Sequence, residues 1–152
     1  QTATRAVQGT GAAPATLTIS DGVTYDYGTV ANGSSTDKSF TVTNGGGVPA
    51  TSVTGGGLAA PFSFKGGGYP GTGGTCGATL AASANCTIVV TYNPSSLGTQ
   101  SDTIDISYND GVAGQTANRA VQGTAAAPAT ITISDGATYN FGSKANGSST
   151  DK

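Results

Sequence analysis

The sequence predicts an all-β, immunoglobulin-like sandwich arranged in tandem repeats. Three observations carry this. Apolar residues alternate with Thr and Ser in short runs, and no helical periodicity extends beyond two turns. Gly-rich and Asp/Asn-Gly punctuation separates the runs. Residues 1–38 recur at 115–152, an offset of 114, with 30 of 38 positions identical. That match is too long and too close for chance, so the parent polypeptide is expected to carry several such units.

The strands follow in order. Residues 16–20 alternate, with Leu17 and Ile19 on one face, and Asp21-Gly22 turns the chain. Residues 25–28 read as an edge strand that includes Tyr27. Residues 39–43 form the clearest strand, with Phe40 and Val42 inward, ended by Asn44 and three glycines. Shorter strands are expected at 50–54 and 62–64, before a Gly-rich loop at 66–74. Residues 87–92 point Ile88, Val90 and Tyr92 inward, and Asn93-Pro94 stops them. Residues 103–108 alternate fully, with Ile104 and Ile106 inward and Asp105 outward. Asn109-Asp110-Gly111 reads as a hairpin turn, and residues 117–124 close the unit. Some seven short strands in about 110 residues match a sandwich of immunoglobulin size.

The folding boundary is read from two matched segments. Gly9 to Pro14 and Gly123 to Pro128 lack alternation and end in a stiffening Pro, so they are expected to be inter-repeat linkers. A complete unit then spans 14–124. Residues 1–10 would be the last strand of a preceding repeat, and 128–152 the first strands of the following one. Such flanks cannot bury a sheet face alone.

The two copies also permit a comparison. Tyr27 becomes Phe141, so a ring is needed there and a hydroxyl is not. Leu17 becomes Ile131, a core-like exchange. Asp26 becomes Asn140, which argues against an essential carboxylate. Val30 becomes Lys144, which predicts a solvent-facing site.

Composition excludes much chemistry. The 152 residues contain no His, Glu, Met or Trp, and all eight acids are Asp. A Ser-His-Asp or Cys-His pair is therefore impossible within the chain. Histidine-ligated metal is excluded too, and no cofactor is expected. Six basic residues and a pI near 4.6 give no phosphate-binding surface, so nucleic acid is not an expected partner. No apolar run is long enough to span a bilayer. The opening residues lack the charged and apolar regions of a signal peptide, so the chain reads as an internal or processed segment. Leu, Ile, Val and Phe total 24 residues, below the usual share for a folded domain. Net charge is only −2, so the reading is a thin core rather than disorder.

Cys76 and Cys86 have nine residues between them. Two Cys without His make a poor zinc site, and C-x-x-C spacing is absent. An intradomain disulfide is expected, the alternative being two free buried thiols. It would pin a loop onto the strand starting at Thr87 and would imply an oxidising compartment, outside the cell or at its surface.

The run from Gly28 to Asn44, GTVANGSSTDKSFTVTN, resembles the G-x-V-x-x-G-x-S-x-x-x-x-F-T-V-T-N opening of bacterial choice-of-anchor D repeats. These are relatives of the Hydin-like (ASH) immunoglobulin-fold domains. Residues 80–94, LAASANCTIVVTYNP, are similar to the family's L-A-P-G-x-S-C-T-I-x-V-T-F-x-P segment, with Ala81-Ala82 in place of its Pro-Gly turn. Leu97-Gly98-Thr99, Ile104, Ile106 and residues 121–124 match its closing strands. The resemblance covers nearly the whole unit. It implies the sandwich fold and a place in a large bacterial surface or secreted protein. It carries over no catalytic residue.

Asp21, Asp110 and Asp135 sit at turns near unit ends, where calcium could bind, but no D-x-D-x-D pattern occurs and Asx turns are the plainer account. Lys38 is in phase with Phe40 and could suit an isopeptide bond, or could snorkel to water. Asn32, Asn85 and Asn146 head N-glycosylation triplets, which so polar a composition produces by itself. Asp102 and Asp105 fall on opposite faces and make no catalytic pair. Tyr69 in the Gly-rich loop could stack on a sugar.

The expected function is structural: a rod or filament of tandem repeats outside a bacterial cell, without catalysis. Its partners would be neighbouring repeats or other copies of the chain. The alternative is a glycan- or protein-binding module of an adhesin, with Tyr69 as its contact.

Overall fold

A computed structural model describes residues 1–151. Among the described residues nine strands form two sheets. They are β1 (Leu17–Ile19), β2 (Thr24–Ala31), β3 (Thr36–Asn44), β4 (Ala50–Gly56), β5 (Phe62–Phe64), β6 (Thr79–Leu80), β7 (Asn85–Tyr92), β8 (Gly98–Asn109) and β9 (Gly114–Ala126). The strand order is β1-β3-β7-β5 in one sheet and β2-β9-β8-β4-β6 in the other. All pairings are antiparallel except β2 with β9, which is parallel. Among the described residues there is no α-helix, only a 3-10 turn at Lys65–Gly67.

Alternation sets which faces meet. Phe40 and Val42 of β3, Ile88, Val90 and Tyr92 of β7, and Ile104 and Ile106 of β8 are fully buried between the sheets. Leu17 and Ile19 of β1 and Tyr27 of β2 join them. Few aliphatic residues are available, so rings fill the interior. Phe62 stacks on Tyr92 at 4.8 Å between centroids, and Tyr27 leans on both. Val89 faces the outer side of β7 yet is buried. The Gly-rich loop straps over it, with the Val89 N–H donating to the Pro70 carbonyl at 2.8 Å.

Three sequence expectations are corrected. Gly123, read as linker, lies inside β9 opposite Gln100. A Cβ there would sit 2.5 Å from the Tyr92 ring, so this glycine makes room for a fully buried tyrosine. The terminal strand therefore runs on to Ala126. Val30, expected to face water, is buried where β2 pairs with Ala125. The Tyr27 hydroxyl is used: it donates to the Val90 carbonyl at 3.0 Å in the interior. Burial holds that phenol well above its ordinary pKa, with smaller contributions from Tyr25 and Asp37.

All strands, the core and the disulfide lie within residues 15–126. Residues 1–14 form no strand, and neither do residues 127–151. Lys152 lies outside the described residues.

Candidate functional site: the disulfide and the two poles of the domain

Cys76 and Cys86 form a disulfide, with Cα atoms 4.9 Å apart. Cys86 is on β7 of the four-stranded sheet. The loop it closes contains β6, whose Thr79 and Leu80 pair with β4 of the other sheet. The bridge thus ties one sheet to the edge strand of the other. Both the Thr75 and Cys76 N–H groups donate to the Thr87 carbonyl, and the Thr87 N–H donates to Thr75 Oγ1. This clamps the loop to the start of β7.

Asn44 was read only as a strand end, but it is the most deeply committed polar residue. It is in phase with Phe40 and Val42 and fully buried. Its Oδ1 accepts from the N–H groups of Thr16 and Gly46, at 3.2 and 3.0 Å. Its Nδ2 shares two hydrogens among the carbonyls of Val48, Leu80 and Ala81. One side chain thereby joins the incoming chain, the β3–β4 loop and the β6–β7 turn. The signal was present in the sequence: an Asn one step further along an apolar face.

Around Asn44 lies the pole where the chain enters. The Ala15 N–H donates to the Asp110 carbonyl at 2.9 Å, Gly45 to the Thr16 carbonyl at 2.8 Å, and Gly47 to the Ala13 carbonyl at 3.0 Å. Gly46 admits the linker, because a Cβ there would lie 2.1 Å from the Pro14 carbonyl oxygen. Asp110 closes the β8–β9 turn, its Oδ1 accepting from the N–H groups of Val112 and Ala113. Those two donors hold its carboxyl below the usual pKa. Beside the linker is an apolar groove of about 300 Å³, lined by Ala12, Pro14, Val48, Pro49 and Val112 among others.

The chain leaves at the opposite pole. β8 and β9 pair along their full length, so Ala126 lies beyond the Gly98 end of β8, away from Asp110. The Asn32 N–H donates to the Ala126 carbonyl, and Gly33 to that of Pro94, both at 2.8 Å. Leu97, 62% exposed, is the large apolar side chain of this pole.

Pro14 lies in the entry linker, Gly9 and Pro128 in the two flanks. Asp21 pairs with Lys38 at 3.0 Å. Lys38 lies over the Tyr25 ring at 4.7 Å and so keeps its ammonium at the surface. Among the described residues no group of three or more Cys or Asp could hold a metal ion. Asp102 accepts from the Ala59 N–H, an anchoring role. Tyr69, considered as a sugar platform, is instead half-buried, edge-on to Phe64 and packed over Gly55.

The second copy keeps the turn geometry of the first without its sheet. Asp135 and Asp21 share φ values of 72° and 73°, and Gly142 and Gly28 share 70° and 71°. Asn140 Oδ1 accepts from the Gly142 N–H as Asp26 Oδ1 does from Gly28, so an amide oxygen replaces the carboxylate in this turn bond. Ile131 and Ile133 are about nine-tenths exposed, where Leu17 and Ile19 are buried.

A profile for the HYDIN/CFA65/VesB-like, Ig-like domain matches residues 15–124. The chain belongs to this family. The domain of human CEP192 described as ASH/PapD-like domain 7 is similar in fold, with a TM-score of 0.57 at 15% identity, covering 85% of this chain and 99% of that one. The VesB protease of Vibrio cholerae is similar at a TM-score of 0.56 and 17% identity over 73% of this chain and 32% of that one. A protein of unknown function from Porphyromonas gingivalis W83 gives 0.56 and 14%, covering 76% of this chain and 49% of that one. The chain therefore spans about a third and about half of the latter two. No curated protein matches the chain. At these identities the likeness is one of fold.

Proposed function

We propose that this immunoglobulin-like domain is a non-catalytic structural repeat of an extracellular bacterial rod or fibre. The observation that carries the reading is the position of its ends. The chain enters beside Asp110 and leaves beyond Gly98, at opposite poles of the longest strand pair. Units linked that way extend in a line instead of folding back. From Gly114 to the next unit's Ala129 is 15 residues of extended chain, which limits the axial repeat to about 50 Å. The 114-residue offset in the sequence supports repetition of the same unit. The disulfide supports an oxidising compartment. Each unit meets only its neighbours in such an array, so stability is a sum of unit and junction terms.

The test is electron microscopy of the native full-length polypeptide. Straight rods with an axial repeat of about 45–50 Å are expected. Compact particles without an axial repeat would overturn the proposal.

A further inference from the structure

The junction between units has no slack. By the 114-residue offset, Ala12 is the counterpart of Ala126, the last residue of β9. In a complete unit the Ala126 carbonyl is held by the Asn32 N–H. In this chain the very next residue, Ala13, is already held by the Gly47 N–H of the following unit. Successive residues are thus fastened to successive domains, and the two poles are brought together.

What meets there is complementary. The entry pole offers the apolar groove of Ala12, Pro14, Val48, Pro49 and Val112, with Val112 80% exposed. Two loops flank β9 at the exit pole. The β2–β3 turn is Asn32-Gly33-Ser34-Ser35, polar and small. The β7–β8 loop ends in the exposed Leu97. Leu97 precedes Gly98, which pairs with Ala125, so it stands level with Ala126 one strand spacing away, about 5 Å. Ala12, the counterpart of Ala126, is itself a wall of the groove.

We infer that the groove at the entry pole seats the exit pole of the preceding unit, with that unit's Leu97 packed against Val112 and Val48. The inference rests on the tandem reading above and specifies its contact. It gives the rod a fixed angle and twist at every junction, because a covalent tether and an apolar contact act at separate points.

A chain of two copies of residues 14–127 tests it. Residues 14–16 repeat as 128–130, so this fusion reproduces the natural junction, and each copy contains every strand and the whole core. Leu97→Cys is placed in the first unit and Val112→Cys in the second, with the native disulfide closed. Both sites are exposed in a single unit, so folding is preserved. A second chain carries Ser34→Cys in place of Leu97→Cys. Under mild oxidation the Leu97/Val112 pair is expected to close at least about tenfold faster than the Ser34/Val112 pair, as held neighbours do. Equal rates, a faster Ser34 pair, or closure of neither would overturn the seating. The experiment reports on the junction alone. Rods in the native material with no preferred cross-link would overturn this contact and leave the fibre reading intact. A preferred cross-link without rods would do the reverse.

Discussion

Replacing Asn44 is the sharpest test of how this domain is held together. Asn44→Ala removes the acceptor used by the Thr16 and Gly46 N–H groups, and the donor shared by three carbonyls. Leaving a buried donor without a partner costs about 1–3 kcal/mol. The Gly46 N–H is buried and the Thr16 N–H partly so, and the expected loss is about 2–4 kcal/mol, a large fraction of a domain's usual 5–15 kcal/mol. Asn44→Asp is the more telling variant. It is nearly isosteric and keeps both accepted hydrogen bonds. It also sets a carboxylate against the carbonyl oxygens of Val48, Leu80 and Ala81, and burying unpaired charge is costlier than losing a neutral bond. Asp is therefore expected to be at least as damaging as Ala at neutral pH. The assay is urea unfolding followed by circular dichroism with the disulfide intact. For a urea slope of about 1.2 kcal/mol/M, both midpoints should fall by about 2–3 M. Asn109→Ala, which removes one exposed turn bond to Gly111, should stay within about 1 kcal/mol. An Asn44→Asp midpoint near wild type would refute the argument, because the donated bonds would then carry no weight.

Further outcomes follow from other contacts. Gly123→Ala should destabilise by about 1–3 kcal/mol through overpacking on Tyr92, measured in the same urea assay; Gly9→Ala, which meets nothing, should be neutral. Replacing Cys76 and Cys86 together by Ser should lower stability by about 3 kcal/mol, since the bridge closes a short loop; unchanged thermal unfolding would contradict the role given to the β6 tie. Tyr27→Phe should cost about 1 kcal/mol for its bond to Val90, the same exchange the second copy makes at Phe141. For pH, four carboxyls are held below their usual value. Asp21 is lowered by the Ser20 hydroxyl and Lys38, Asp26 by the Gln122 amide and the Gly28 N–H, Asp37 by Lys65 and Thr91, and Asp110 by the Ala113 and Val112 N–H groups. A depressed folded pKa stabilises above the unfolded value, about 3.9, and that contribution disappears as pH falls through the folded one. With no His or Glu, the thermal midpoint should be flat from about pH 5 to 7 and fall only below about pH 4. A fall between pH 5 and 7 would contradict this.

Legibility in the sequence tracked local pattern. β3, β7 and β8 alternate strongly, so their inward residues could be read directly. β6 could not, because two residues carry no period and the strand exists only through β4 and the disulfide. Gly123 and Val30 were misplaced for a related reason. Gly123 depends on a ring 31 positions away, and the Val30-to-Lys144 exchange suggests exposure although Val30 is enclosed where β2 meets β9. Asn44 was overlooked because polarity suggested a loop, whereas its phase with Val42 placed it inside. The poles depended on tertiary hydrogen bonds from glycines that look like filler in sequence.

The single parallel pairing has a mechanical consequence. Tension applied through the two ends of a unit pulls the start of the chain toward the entry pole and β9 toward the exit pole. β2 and β9 run side by side in the same direction, from Thr24 opposite Ala120 to Ala31 opposite Ala126. Their bonds lie across the pull and are loaded together in shear, where an antiparallel end-on arrangement would open them one at a time. The loop closed by Cys76–Cys86 sits outside this load path. Should a unit yield, that loop stays shut and withholds nine residues from the extension.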